Sequence, residues 1–328
     1  MKLKGLNLFI AFFFLCSFSS RASFVLLPME AEGQQNHLKA YGITYWALDK
    51  SYKVSWLLNY RGGSFLLPDA PEIRKECQIR GVTFEVLSDA ATNSILEDIS
   101  SPSQNMETVV LEKAPKIAVY TPKGKQPWDD AVTMVLTYAE IPYTEIYDEE
   151  VLSDQLLLYD WLHLHHEDFT GQYGKFFGNY RNTPWYIQQK AEAEALAKKL
   201  GYNKVSEEKL AVAKKVRDFV IGGGFMFAMC SATDSFDIAL SAEGVDICEP
   251  MFDGDDSEAN YQSRIDYTST FAFKDYTLVR NPMVYEFSDI DTTEEHGKGA
   301  FSMDKDYFTL MEYSAKWDPI PTMLCQNH

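Results

Sequence analysis

The chain of 328 residues carries 48 acidic against 30 basic side chains, a formal charge of −18. A surface so acidic is repelled by nucleic acid and by anionic lipid, so neither is an expected partner. With 46% hydrophobic residues, the chain can bury the core of one large or two modest domains.

Lys2 and Lys4 precede the apolar run Leu6 to Phe18, which ends at the small-x-small site Ser20-Arg21-Ala22. This is the pattern of a cleavable signal peptide over residues 1–22, too short for a membrane anchor, and it predicts a periplasmic or extracellular protein. Cys16 follows Phe13, Phe14 and Leu15 rather than the small residue that a lipid-attachment site favours. No later stretch approaches membrane-spanning length, so no stable insertion is expected. Past the leader stand Cys77, Cys230, Cys248 and Cys325, too few in so long a chain to form a disulfide scaffold.

Residues 23–113 read as a small β-rich module. Leu38 to Leu48, Tyr52 to Tyr60, Gly63 to Leu67 and Val82 to Leu87 are short and rich in aromatic and β-branched residues, as strands are. Ser88 to Met106 is polar, with a loop expected at Ser100 to Gln104.

From 114 to 328 the pattern alternates. Strands are predicted at Lys116 to Tyr120, Tyr143 to Tyr147 and within Gln155 to His165, and a helix at Trp128 to Ala139. Thr183 and Pro184 open a helix that Gly201 stops, and Ser206 caps the next. The alternation predicts an α/β domain with a parallel sheet. Tyr267 to Phe273, Thr277 to Arg280, Tyr307 to Tyr313 and Thr322 to Cys325 are candidate later strands.

The most informative stretch is Phe219 to Ala242. Gly222 to Gly224 end one helix. Phe225 to Met229 form a continuous apolar run, expected as a central strand buried on both faces. Cys230 follows, then a helix with Ser231, Thr233 and Asp234 as candidate caps and an apolar face of Phe236, Ile238 and Ala239. Strand, sharp turn and helix with Cys230 between the small residues Ala228 and Ala232 is the layout of a nucleophile elbow. A structural buried thiol is the alternative for Cys230.

A second group is His163, His165, His166, Glu167 and Asp168. Alternation puts His163 and His165 on one strand face, with His166 to Asp168 at the strand end. One histidine is a candidate general base, and His163, His165, His166 and Asp168 are candidate ligands for zinc or a similar metal; histidines hydrogen-bonded within the sheet are the alternative. No other cofactor is expected. Asp253 to Glu258 reads as a solvated acidic loop, with calcium as its alternative occupant. Tyr173, Phe177, Trp185 and Tyr186 are candidate aromatic walls of a ligand cleft.

The order of elements and the elbow together resemble the class I glutamine amidotransferase-like superfamily, a parallel-sheet, flavodoxin-like fold. The Gly222 to Phe225 strand entry and the Ser231 to Asp234 turn resemble its trehalose-utilisation (ThuA-like) branch. Tyr159 to Phe176 and the stretch Leu57 to Asp69 resemble exported bacterial proteins often labelled asparagine synthetase B. A glutamine-dependent synthetase has an N-terminal nucleophilic Cys and a Ser-Gly-Gly-x-Asp-Ser ATP loop, and this sequence has neither.

The resemblance implies Cys230 as nucleophile, the Ser231 N–H as an oxyanion donor and a cleft bordered by His166 and Glu167. It also implies a His-x-Glu pair after the elbow. Only Glu295-His296-Gly297 and the terminal His328 offer a histidine there, so the sequence is expected to be a C-terminally truncated piece. The expected function is amide or ester hydrolysis in an exported amidotransferase-like protein. The alternative is non-catalytic binding of a small amide, a peptide or a carbohydrate.

Overall fold

The computed structural model describes residues 22–122 and 131–290, which fall into two units divided between Glu112 and Lys113. Residues 1–21 of the leader, the start of the Trp128–Ala139 helix, the candidate strands after 291, Cys325, His296 and His328 lie outside the described residues.

The first unit holds a five-stranded antiparallel sheet in the order β4-β1-β3-β2-β5. Its strands are β1 (Ala22–Leu27), β2 (Val54–Leu58), β3 (Phe65–Pro68), β4 (Glu85–Ser88) and β5 (Glu107–Leu111). Alternation along the strands sorts the core into two layers. Val25, Leu27, Val54 and Phe65 pack with helices α1 (His37–Asp49) and α2 (Pro71–Arg80), and Leu26, Leu57 and Leu66 pack with α3 (Asp89–Ser100). The unit is therefore mixed α/β, with three helices beside the strands that the small β-rich module was expected to hold. The segment expected as a strand at Leu38 to Leu48 is α1. Its aromatic and β-branched content suggests a strand, but Ala40, Ile43, Thr44 and Ala47 are its buried positions, a helical repeat. Asn36 also caps the first turn, its side-chain oxygen accepting the Lys39 N–H at 3.2 Å.

The second unit contains a four-stranded parallel sheet, β6 (Ile117–Tyr120), β7 (Tyr143–Ile146), β8 (Trp161–Leu164) and β9 (Phe225–Ala228), in the order β7-β6-β8-β9. Between and after the strands come α4 (Ala131–Ala139), α5 (Asp148–Leu152), α6 (Phe177–Tyr180), α7 (Pro184–Lys199), α8 (Val205–Ile221), α9 (Ser231–Ser241) and α10 (Pro250–Asp253). Its main core joins Ala118, Leu162 and Leu164 of the sheet to Val212, Val216 and Phe219 of α8 and Phe236 and Leu240 of α9. Among the described residues no helix is long and apolar enough to cross a membrane. The stretches expected as strands at Tyr267 to Phe273 and Thr277 to Arg280 supply only a 3-10 turn, Tyr267–Ser269, and one isolated bridge between Leu278 and Ser288.

β9 departs from the expectation of burial on both faces. Among the described residues it is an edge strand, with Phe225 59% and Phe227 47% exposed. Met226 and Ala228 pack on the core. The opposite face carries a ladder of rings instead, with Trp161 edge-on to Phe225 at 5.9 Å and His163 stacked on Phe227 at 5.6 Å.

The glycines ahead of β9 have separate reasons. Gly223 sits at φ +100°, a conformation side chains resist, and a Cβ on Gly224 would lie 2.3 Å from the ring of Phe219. Because Phe219 is 5% exposed, its ring has little room to yield. Gly224→Ala is therefore expected to lower unfolding stability by about 1–3 kcal/mol. Gly244→Asn, at φ +73° with open space around it, should be near neutral. Urea unfolding followed by circular dichroism compares the two, and an unchanged midpoint for Gly224→Ala would show that Phe219 moves aside freely.

Candidate functional site

The carboxyl ends of the parallel strands converge with the start of α9. Met229 N–H donates to the Leu164 carbonyl at 3.0 Å, extending the β8–β9 pairing up to Cys230. Cys230 then takes φ 51°, ψ −140° and serves as the N-cap of α9, in place of the expected Ser231, Thr233 or Asp234. It is a free, exposed thiol. A non-glycine residue in that region costs on the order of 1–3 kcal/mol and persists only where its surroundings hold it.

Two serines of α9 supply that hold. Ser231 Oγ donates to the His166 carbonyl at 2.8 Å, and Ser235 Oγ donates to the Glu167 carbonyl at 3.0 Å. The backbone after β8 is thereby fastened to the first turns of α9. Thr233 Oγ1 donates to the Cys230 carbonyl at 2.6 Å and closes the turn from within. Ser231 is the first residue of the helix, so its N–H has no intrahelical acceptor.

The histidine group is arranged by the same loop. His163 is 4% exposed and lies against Phe227. His165 and His166 face each other, with their Nδ1 atoms 3.2 Å apart, and Glu167 Oε2 accepts the His165 N–H at 2.8 Å. Asp168 turns into its own loop, one oxygen accepting the N–H and hydroxyl of Thr170, each at 2.6 Å, and the other the Gly174 N–H at 3.0 Å. These four do not converge as a ligand set. Among the described residues, the acidic, thiol and imidazole donors that do converge in a group of three belong to Asp246, Cys248 and Asp253.

A cavity of about 290 Å³ lies at the carboxyl edge of the sheet. Tyr147, Lys209, His166, Glu167, Asp168, Tyr173 and Phe176 are among its lining residues. It stands where the chain, having run from β6 out to β7, returns to β8 on the far side of β6, the crevice that favours ligands in open α/β sheets. Cys230 is not among its lining residues. Of the aromatics expected around a cleft, Tyr173 reaches the cavity, while Phe177, Trp185 and Tyr186 pack with Phe252 into a satellite core. Aromatic content alone does not separate a cleft wall from a core.

Beside the cavity lies a buried polar network with no precedent in the motifs. The Lys209 ammonium donates to both oxygens of Asp148 at 2.7 and 2.8 Å and to the hydroxyls of Tyr120 at 3.0 Å and Tyr147 at 3.1 Å. Tyr120 also donates to Asp148. Burial alone would lower the Lys209 pKa, but Asp148 and its neighbours outweigh it and hold the ammonium well above its usual range. Glu208, 1% exposed, is pushed up to about 8, first by burial and then by the nearby Asp148 charge, against the opposing pull of Lys209. The sequence signal for this network is positional: Tyr120 ends β6, while Tyr147 and Asp148 follow β7, all at the edge where α/β sheets place their chemistry.

Comparison with protein-family models, with curated proteins and with solved structures yields no match.

Because Glu208 is raised above its unfolded value of 4.5, the native state holds its proton longer than the unfolded chain. Its contribution is complete below pH 4.5 and is lost as pH rises through about 8. Glu208→Gln should therefore gain thermal stability relative to the parent between those pH values and match it at the acid end. Parallel melting curves test this, and a constant difference in Tm across the range would contradict it. Cys230 should react with iodoacetamide in the native protein while the buried Cys77 and Cys248 react only after unfolding. Peptide mass spectrometry reads the order, and equal slow labelling of all three would contradict the exposed elbow.

Proposed function

We propose that the second unit is a flavodoxin-like, class I glutamine amidotransferase-like domain of an exported protein, and that Cys230 is its nucleophile for hydrolysis of an amide or ester. The observation that carries this reading is the backbone of Cys230, φ 51° and ψ −140°, in an exposed turn between β9 and α9. That conformation lifts a side chain clear of strand and helix alike, as a nucleophile elbow requires. The strand order β7-β6-β8-β9 supports the fold, since it matches the first four positions of the flavodoxin-like order 2-1-3-4-5.

In this reading the Cys230 sulfur attacks the carbonyl carbon. The Ser231 N–H, at the positive end of α9, stabilises the oxyanion. His166, with its carbonyl anchored by Ser231 and Glu167 beside it, takes the thiol proton and passes it to the departing amine. Water then hydrolyses the thioester and restores the thiol. Asparagine synthesis is not part of the proposal, because the sequence has no ATP-binding loop of that class.

A second reading rests on the separation of Cys230 from the cavity lining. The cavity, walled by Tyr147, Tyr173 and Phe176, would then serve a non-catalytic protein that binds a small amide, a peptide or a carbohydrate.

Incubation with a glutamine-analogue diazo-ketone, followed by intact-mass and peptide analysis, separates the two. Hydrolase chemistry predicts one stoichiometric adduct on Cys230, absent in Cys230→Ser, and at least a ~100-fold loss of hydrolysis in that variant. Ligand-induced melting shifts that are equal in parent and variant, without any adduct, would sink the hydrolase and leave the binding protein.

A further inference from the structure

Beyond α9 the chain turns through Asp246 and Cys248 into α10, which ends at Asp253. One carboxylate oxygen of Asp246, the Cys248 sulfur and one carboxylate oxygen of Asp253 all lie within 4.8 Å of one another. The Cys248 N–H donates to Asp246 Oδ1 at 3.0 Å, which sets these two side chains relative to each other through one tight turn. The sulfur is buried and makes one weak contact, to the Thr170 carbonyl at 3.3 Å.

The charge here is unbalanced. Among the described residues a single ammonium, Lys204 Nζ, serves Asp246 at 2.6 Å, Asp253 at 3.0 Å and Asp255 at 2.6 Å. Three carboxylates on one cation leave surplus negative charge. The Asp253 side chain is only 6% exposed, and while its Oδ2 faces Lys204, its Oδ1 is buried with no donor. A buried carboxylate oxygen with no donor costs stability unless a cation completes it. A cavity of about 290 Å³, with Lys204, Asp246, Cys248 and Glu258 among its lining residues, adjoins this group.

We propose that Asp246, Cys248 and Asp253 form a binding site for a divalent cation of the zinc class. Thiolate sulfur selects a borderline-soft ion, and three protein donors leave the fourth tetrahedral position to water from the cavity. Calcium and magnesium are disfavoured because each wants six or more oxygen donors and neither takes sulfur. The acidic loop thus acts through Cys248, not through oxygen donors alone. On binding, the Cys248 thiol releases its proton to solvent as the metal–sulfur bond forms. The Lys204 ammonium stays with Asp255, the most exposed of its three partners. None of this depends on Cys230 being a nucleophile.

The test uses the whole purified chain, reduced and then loaded with Co2+ or Zn2+ before desalting. One equivalent of metal by elemental analysis, with a thiolate-to-cobalt charge-transfer band in the near ultraviolet, is the expected result. Cys248→Ser should abolish the band, and Asp253→Asn should weaken binding at least ~10-fold, whereas Cys230→Ser should bind as the parent does. Because the first two variants remove buried groups, circular dichroism checks that they fold. Lys204→Gln removes the competing ammonium while keeping all three donors, and should bind more tightly than the parent. The proposal is overturned if parent and Lys204→Gln both retain no stoichiometric metal, or if the band survives in folded Cys248→Ser and is lost in Cys230→Ser.

Discussion

The second unit depends on two serine hydroxyls that fasten the start of α9 to the backbone leaving β8. Without Ser231 and Ser235 the residues after β8 and the turn after β9 would be two independent loops at the sheet edge. With them, the carbonyls of His166 and Glu167 are fixed, and with them the histidine pair and the wall of the cavity. The same bonds hold Cys230 in a conformation that costs about 1–3 kcal/mol in isolation. Packing adds the remaining constraint. α9 is buried nearly all round, its Asp237 carboxylate capping the N–H groups of Phe271, Ala272 and Phe273, so the helix cannot tilt to relax the turn.

A second constraint, electrostatic, operates beside the cavity. Among the described residues Lys209 is the only cation in a buried group that contains Asp148 and Glu208, and a lone ammonium buried there without Asp148 would be prohibitive. The network therefore ties α8 to the residues that follow β6 and β7. Burial first, and then the Asp148 charge that the one ammonium already compensates, raise the Glu208 pKa and favour its neutral form. Lys204 meets the same imbalance nearer the surface, where three carboxylates share one ammonium. The strong negative charge of the chain is thus not only a solvated skin, since part of it is drawn into sites with too few cations.

The strands of the second unit were legible because short apolar runs stand between helix signals, as Ile117 to Tyr120 and Phe225 to Ala228 do, although only the first of these is buried throughout. The elbow was legible for the same reason, as Gly223 and Gly224 are required by local geometry that sequence displays directly. The first unit was less legible. In Tyr41-Gly42-Ile43-Thr44-Tyr45-Trp46 the residue types favour a strand while the spacing favours a helix, and packing of Ala40, Ile43 and Ala47 on the sheet decides for the spacing. The candidate site was legible only in part. Cys230 and Ser231 follow β9, and His166 and Glu167 follow the adjacent β8, so topology brings the two pairs to one end of the sheet. Lys209 meets Tyr120 and Asp148, and Lys204 meets Asp246 and Asp253, across long separations in sequence, and no spacing rule announces them.

The cavity and the elbow share a wall but not a floor. His166 and Glu167 border the cavity with their residues and anchor α9 through their carbonyls, so each belongs to both features. Movement of the segment after β8 therefore acts on the two together. That segment is itself tightly wound: Gly171, Tyr173, Gly174 and Lys175 all have positive φ, and the buried Lys175 ammonium donates to the carbonyls of Val279 and Asn281. Gly171 and Gly174 take that region without strain, whereas Tyr173 and Lys175 persist there only because their surroundings hold them, Lys175 through its two carbonyl contacts. The arrangement favours a preformed cleft over one assembled on binding, and it makes the geometry at Cys230 a property of the resting fold.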